Sequence, residues 1–421
     1  MSDPRPDFDC DLLVIGSGAG GLAAAVTAAA HGLQVIVAEK EPVLGGTTAW
    51  SGGWIWAPCN PAAHRDGITE DPALPRQYLQ AVLGQNFDAE RVDAFLRAAP
   101  QMVRFFEEET ALEFQSGSHI PDTYGDQPGA GTGGRSVIAA PFDGRRLGSA
   151  IDLLRRPAPE TSFLGMTIQA GPDLRAFMTM LRSVQSFAHV TRRFTRHLME
   201  LARYGRGMQL RNGNALVARL MRAALDLQVD LRVNCSASDL IFTDGVVTGA
   251  VLKGRAVTAR RGVVLATGGF PHDAARRANL FPHNGRHLTL AVPSATGDGL
   301  RMGENAGGQC DTTLAAPGAW CPVSKVPWRD GSFGQFPHII ERGKPGLIGV
   351  LANGQRFCNE GLGYYDYVDA LLRVTPEGET PVSWMICDQR FLNRYGLGIA
   401  RPKPLSNRYW IKSGYLKTGR T

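Results

Sequence analysis

Six residues near the N-terminus, Gly16-Ser17-Gly18-Ala19-Gly20-Gly21, constrain this chain more than any other stretch. They follow a short apolar run, Leu12 to Ile15, and open a small, alanine-rich segment, Gly20 to Ala30. Gln34 to Ala38 is apolar again, so the order predicts strand, helix, strand in a buried parallel sheet. Each glycine sits where a side chain would obstruct. Gly16 permits the tight turn, Gly18 lets backbone approach a pyrophosphate, and Gly21 allows close helix packing. The helix N-terminus offers its free N–H groups to the phosphates. Glu39 ends the second strand, 21 residues after Gly18, where a carboxylate accepts hydrogen bonds from a ribose 2′-OH. It would repel a 2′-phosphate, which disfavours NADP.

At 421 residues the chain is long enough for two or three domains, and 43% hydrophobic residues can fill sizeable cores. Net charge is +6, from 45 basic and 39 acidic residues; Arg192, Arg193 and Arg196 form the densest basic group, read as an exposed helix face. Seven well-separated cysteines with no C-x-x-C pair argue against a disulfide framework or a structural zinc site, and no metal is expected. The polar N-terminus lacks the features of a secretory signal, and no apolar run reaches 18 residues. A soluble, cytoplasmic protein with no membrane span and no nucleic-acid partner is expected.

Residues 60 to 115 look largely helical, residues 116 to 135 read as a long loop, and Leu174 to Tyr204 reads as a basic helix. Asn214 to Leu227 is a further helix. Strands follow from Asp230 to Leu252, broken by a hairpin at Thr243-Asp244-Gly245, and Val263 to Thr267 is the last strand of this domain. The expected division is 1–288, with a helical insertion at about 140–205, and a second domain at 289–421. Tyr409 to Thr421 shows no helix stop, as if the chain ended in mid-fold.

A second glycine-rich segment decides between nicotinamide and flavin. Gly45-Gly46-Thr47-Thr48 and Ser51-Gly52-Gly53 come just after the ribose-binding strand, and Ala266-Thr267-Gly268-Gly269 ends a later strand with small residues. An NAD domain has no need of the second segment. A flavin does, because its ribityl chain and flat ring lie against bare backbone.

These motifs, with TGDG at 296–299 and NGQRFCNE at 353–360, resemble the FAD-dependent fumarate reductase and 3-ketosteroid dehydrogenase flavoprotein superfamily, closest to its 3-ketosteroid 1-dehydrogenase branch. The resemblance implies a doubly wound, Rossmann-like α/β FAD-binding domain with an inserted, smaller α+β catalytic domain. It implies FAD contacts from Gly16, Gly18, Gly21, Glu39, Lys40, Gly46, Thr47, Thr48, Ser51, Gly52 and Gly53, and from Ala237, Ala266, Thr267, Gly268 and Asp298. Members that attach FAD covalently use a histidine beside the second glycine segment. None lies between Lys40 and Ser51, so FAD is expected to bind non-covalently.

The same resemblance points to catalytic residues. Five after Asn359, where fumarate reductases place a proton-donating arginine, this chain has Tyr364. In 3-ketosteroid dehydrogenases that place holds a tyrosine, the base that takes the C2 proton, and Tyr124 resembles the second tyrosine that assists it. Tyr365 is the competing assignment. The implied activity is 1,2-dehydrogenation of a 3-ketosteroid or similar cyclic enone, with an electron acceptor the sequence does not identify. The alternatives are a fumarate-reductase-like enoate reductase and an inactive FAD-binding fragment. Trp50, Trp54, Trp56, Trp320, Trp328, Phe333 and Phe336 suggest a flat, apolar substrate, whereas His338 reads as structural. Relatives in this superfamily carry a further C-terminal segment that polarises the substrate carbonyl, and the sequence stops before it.

Overall fold

The computed structural model describes residues 8–403 and 405–419. Its centre is a six-stranded sheet in the order Asp230–Arg232, Val35–Ala38, Cys10–Ile15, Arg255–Leu265, Val246–Leu252, Ala237–Thr243. The first four strands run parallel and the last two antiparallel. Arg255–Leu265 joins the two halves: its start pairs antiparallel with Val246–Leu252, and its end pairs parallel with Cys10–Ile15. Gly262, at φ 124°, pairs with Leu12 within the parallel half, where the register shifts after Cys10–Ala259. Sequence reading caught only the apolar half of this strand, because Arg255 to Arg261 is too polar to look buried.

The hairpin at Asp244-Gly245 is confirmed. Both turn residues have positive φ, 52° and 77°, as a two-residue turn matching strand twist requires. Lys253-Gly254 repeats the device, at φ 48° and 75°, without the Asn or Asp that would announce it.

Two helices cover one face of the sheet. Ala19–Ala30 buries Leu22, Ala25 and Val26. Asn212–Asp226 is buried nearly all round, packed between that helix, the second glycine segment and the strand Ser136–Ala139. A helix enclosed on every side needs apolar residues on every side, and Ala215 to Leu220 supply them. The 60–115 region is helical as expected, with helices at Pro61–Arg65, Ala73–Leu83 and Ala89–Glu109.

The basic segment is two helices, not one. Pro172–Thr179 and Val184–Tyr204 are separated by a short break, and the Ser183 side chain caps the second by accepting from the Ser186 N–H at 3.3 Å. Arg193 is not on its exposed face. It is buried against Asp173 at 2.5 Å.

Beyond the main sheet, two antiparallel ribbons, Val323–Pro327 with Phe333–Pro337 and Leu347–Val350 with Trp384–Cys387, flank the helix Tyr364–Val374. Arg408–Lys412 is a short helix that does stop, at Ser413-Gly414, with Gly414 at φ 78°. The reading of no stop there is thus corrected; a Lys-Ser-Gly end without proline was passed over. Among the described residues no helix is long and apolar enough to cross a membrane.

Two adjacent glycines give a sharp stability test. A methyl on Gly21 would overlap the Gly16 carbonyl oxygen, whereas one on Gly20 would meet nothing within 4 Å. Gly21→Ala should lower the urea midpoint by an amount equivalent to about 1–3 kcal/mol. Gly20→Ala should leave it unchanged or raise it by up to about 1 kcal/mol, since alanine loses less backbone entropy in a helix.

Candidate active site

The C-terminal ends of the parallel strands converge with three loops. Gly16 packs on Ala266, whose N–H donates to the Ile15 carbonyl at 2.8 Å. Thr267 accepts from the Gly299 N–H at 3.0 Å. Glu39 is buried here. Its Oε2 accepts from the Ser17 N–H at 3.1 Å and the Ser17 hydroxyl at 2.5 Å, and its Oε1 from the Glu41 N–H at 3.0 Å. Ser17 Oγ in turn accepts from the Gly45 N–H at 3.0 Å. Ser17 was missed by sequence reading, which weighed only the glycines around it.

The glycines fall into two groups. Gly16, at φ 104°, and Gly21 are required by the protein's own packing. Gly18 is different. Its φ of −68° suits any residue, and a methyl there would have only Thr48 Oγ1, at 3.5 Å, for a neighbour. Bare backbone at this point leaves room for something that is not protein. No side chain caps the helix that starts at Ala19, so apart from Ala19, which donates to Thr48 Oγ1 at 3.0 Å, its first-turn N–H groups are left for a ligand. The cradle therefore fits a dinucleotide pyrophosphate.

The other proposed contacts lie around the same edge. Gly46 and Gly268 have positive φ, 47° and 77°, and open space where a side chain would be. Thr47 accepts from the Val292 N–H at 3.2 Å. Ser51, Gly52 and Gly53 form a turn pressed on Gly213, whose N–H donates to the Ser51 carbonyl at 3.1 Å. Ala237 lies two residues past Cys235, whose N–H donates to the Glu39 carbonyl at 2.7 Å. Lys40 and Asp298 are not free: they pair at 2.5 Å, and Arg301 holds the other Asp298 oxygen at 3.0 Å. Burial pushes the Asp298 carboxyl up, but Lys40, Arg301 and Thr296 outweigh it and keep it below its ordinary value.

A second cavity, of about 330 Å³, lies between the long loop and the start of the helix Tyr364–Val374. Its lining brings together Tyr124, Tyr364 and Tyr365 with Trp56 and Tyr78. The two proposed catalytic tyrosines, 240 positions apart in the chain, thus share one wall-to-wall space. Tyr365 spends its hydroxyl proton on the Gly318 carbonyl at 2.9 Å. Among the described residues no protein group hydrogen-bonds the Tyr364 hydroxyl. Burial raises the Tyr364 phenol above its ordinary value, with Cys321 and Tyr365 adding to the rise and Arg342 opposing it. Burial, with help from Tyr365 and Asp366, takes Tyr124 up to about 12.

The cavity's one carboxylate, Asp122, is already matched. Arg135 holds it at 2.6 Å and the Trp56 indole N–H donates to it at 2.7 Å. No Arg, Lys or His lines the cavity among the described residues. Arg342 supports it from behind: buried, it donates to the Glu360 carbonyl at 2.6 Å and the Leu362 carbonyl at 2.7 Å, shaping the loop that delivers Tyr364. It stands 22 positions before Tyr364, and no spacing rule could have found it.

Of the other aromatics, only Trp56 reaches the cavity. Trp320 packs against Phe281 and His287, Trp328 against Trp410, and Phe333 is exposed. Trp320 and Trp328 are packing residues, so of the named aromatics Trp56 alone lends the cavity support for a flat substrate. His338 is structural, buried against Glu341 at 2.6 Å.

A family model for an FAD binding domain matches residues 11–402. The chain belongs to this FAD-binding flavoprotein family. The flavoprotein is 38% identical over 419 residues to 4-oxocyclohex-2-ene-1-carboxylate 5-dehydrogenase of Sinomonas cyclohexanicum, covering 98% of this chain and 70% of the relative. It is 30% identical to 3-oxosteroid 1-dehydrogenase of Mycobacterium tuberculosis, covering 96% and 73%. Its fold matches the crystal structure of 3-ketosteroid delta1-dehydrogenase from Sterolibacterium denitrificans in complex with 1,4-androstadiene-3,17-dione. That match has a TM-score of 0.81 and 30% identity, and covers 95% of this chain and 73% of the other. The mixed α/β architecture, a Rossmann-like FAD domain carrying a smaller inserted domain, is that of the family.

Gly18 provides the test of the cradle. Gly18→Val should lower FAD affinity at least about tenfold, while the urea midpoint of the cofactor-free protein moves by no more than about 0.5 kcal/mol, as at an unpacked surface position. Equilibrium dialysis against FAD and urea titration read the two quantities separately.

Proposed function

We propose that this flavoprotein dehydrogenates a cyclic ketone, introducing a C=C bond beside the carbonyl. The observation that carries the reading is the unpaired Tyr364 hydroxyl facing a cavity shared with Tyr124. When bound, held non-covalently by the contacts proposed above, FAD would supply the two-electron acceptor for the hydride that leaves the carbon β to the ketone. Tyr364 takes the proton from the α-carbon. Tyr365, with its own proton committed to Gly318, cannot share that work and serves to hold the Tyr364 turn. Tyr124, in the same cavity lining, is the second tyrosine that assists this base.

The lining supports an uncharged, flat ketone such as a 3-ketosteroid. Phenols and an indole offer apolar faces, and the one carboxylate is neutralised by Arg135. An enoate reductase of the fumarate type would need cations converging on two carboxylates, and the position of its proton-donating arginine is Tyr364. A single-ring 4-oxocyclohexanecarboxylate is the second reading, favoured by the 33% identity to a 4-oxocyclohexanecarboxylate 2-dehydrogenase of Sinomonas cyclohexanicum.

Two measurements test this. Single-turnover flavin bleaching should occur with androst-4-ene-3,17-dione or with 4-oxocyclohexanecarboxylate, and whichever is faster fixes the ring class; bleaching by neither would sink the proposal. Tyr364→Phe should slow bleaching by about 10²–10⁴ and Tyr365→Phe far less. The pH dependence carries a sign. Because Tyr364 is raised above an ordinary phenol near 10, a base acting as phenolate gives a kcat/KM still climbing at about pH 10. Tyr364→Phe should flatten that climb.

A further inference from the structure

The helix Val184–Tyr204 buries Val190, Arg193, His197 and Glu200 on one face and leaves an apolar stripe on the other. Val184 is 87% exposed, Phe187 51%, Leu198 44% and Met199 61%, with exposed Ala188, Thr191, Thr195 and Ala202 along the same side. Their helical spacing puts them on one side of the cylinder over some four turns. Solvated helices do not carry such a stripe without a partner.

A neighbouring hairpin extends the surface. Ser162–Phe163 pairs with Met166–Thr167, and its two-residue tip is Leu164-Gly165. Leu164 has φ 50° and is 63% exposed, so a branched apolar residue is held in a left-handed turn with its side chain in water. The tip lies along the helix: His197 Nε2 is 3.0 Å from the Leu164 carbonyl, and the Phe163 ring centroid is 5.6 Å from that of Phe194.

Charge around the stripe has one sign. Residues 161–206 hold seven arginines against two acids, Asp173 and Glu200. Both acids are buried and paired, Asp173 with Arg193 at 2.5 Å and Glu200 with Arg196 at 2.7 Å. Arg175, Arg182, Arg192 and Arg203 are exposed with no carboxylate from this segment in the solvent beside them. The basic face therefore suits an anionic surface, and the apolar stripe within it suits one with an apolar interior.

We propose that this helix and hairpin seat the protein on an anionic bilayer, with the stripe in the headgroup and acyl boundary and the arginines on lipid phosphates. Binding in the plane of the interface needs an amphipathic helix with a basic polar side, and does not need a span. Charge complementarity favours a lipid surface over a second copy of this chain, whose matching face would bring arginines against arginines.

The test is co-sedimentation of the FAD-loaded protein with vesicles of phosphatidylcholine alone and of phosphatidylcholine with phosphatidylglycerol. Binding is expected to the mixed vesicles, to weaken with salt, and to be marginal on the neutral ones. Arg192→Gln with Arg203→Gln should lower the partition coefficient at least about tenfold, at a contribution near 1 kcal/mol per arginine. Phe187→Ser with Leu198→Ser should do likewise. These side chains point into solvent, so flavin absorbance and circular dichroism should match the parent and exclude misfolding. No binding to the mixed vesicles overturns the proposal. So does binding that neither double variant reduces, and so does a dimer abolished by Phe187→Ser with Leu198→Ser without any vesicle binding.

Discussion

The buried carboxylate of Glu39 holds the cofactor edge of this protein in shape. Its oxygens accept from the Ser17 N–H and hydroxyl and from the Glu41 N–H, while its backbone N–H donates to the Arg232 carbonyl and its carbonyl accepts from the Cys235 N–H. One residue thereby joins the glycine turn, the end of the second strand and the outermost parallel strand. Through Ser17 Oγ it also reaches Gly45 and the second glycine segment. A buried carboxylate is costly unless its lone pairs are filled. Here they are filled by the loops that must be ordered before a dinucleotide can lie on them, so cofactor geometry and fold stability share the same hydrogen bonds.

The tyrosine cavity is built on the opposite principle. Around Glu39 every polar group is matched; at Tyr364 the hydroxyl is left unmatched while its neighbours are tied down. Tyr365 is held by Gly318, Asp122 by Arg135 and Trp56, and the loop before Tyr364 by Arg342. Unmatched polarity in a half-buried space destabilises a fold unless a ligand completes it. The surrounding ties leave that cost on the two phenols without a protein partner among the described residues, Tyr364 and Tyr124. Burial raises the Tyr364 phenol and Arg342 opposes the rise, so forming a phenolate there, as the proposed reaction requires, draws on Arg342.

The helical insertion adds a surface with different physics. It buries the Asp173–Arg193 pair and the Glu200 carboxylate, while Val184, Phe187, Leu198 and Met199 lie outside. The main sheet is built the other way, with apolar side chains enclosed in a cluster on each of its faces. For an enzyme whose proposed substrates are poorly soluble ketones, the proposed lipid-facing surface would place the catalyst where such molecules collect.

The glycine turn, Glu39 and the strand-helix-strand order were legible from the sequence because local rules govern them. A tight turn needs Gly16 at positive φ, a buried parallel strand needs an unbroken apolar run, and an Asp-Gly hairpin needs left-handed residues. The resemblance of NGQRFCNE and its following tyrosine to a known family extended that reach to Tyr364 and Tyr124. What the sequence could not determine depends on distance through space. Nothing local says that Ser17 would cross to Gly45, that Lys40 would find Asp298, or that Arg342 would grip the two carbonyls ahead of Tyr364. Nor could the sequence say which aromatics of the second region line a pocket, since Trp320 and Trp328 bury as well against Phe281 or Trp410 as against a ligand. Arg193 and Arg196 read alike in sequence, yet a rotation of 300° along the helix turns one inward to Asp173 and leaves the other at the surface. Periodicity and turn chemistry act over a few residues and are written in the chain; which side chains meet, and which are left without a partner, is settled only when the layers close.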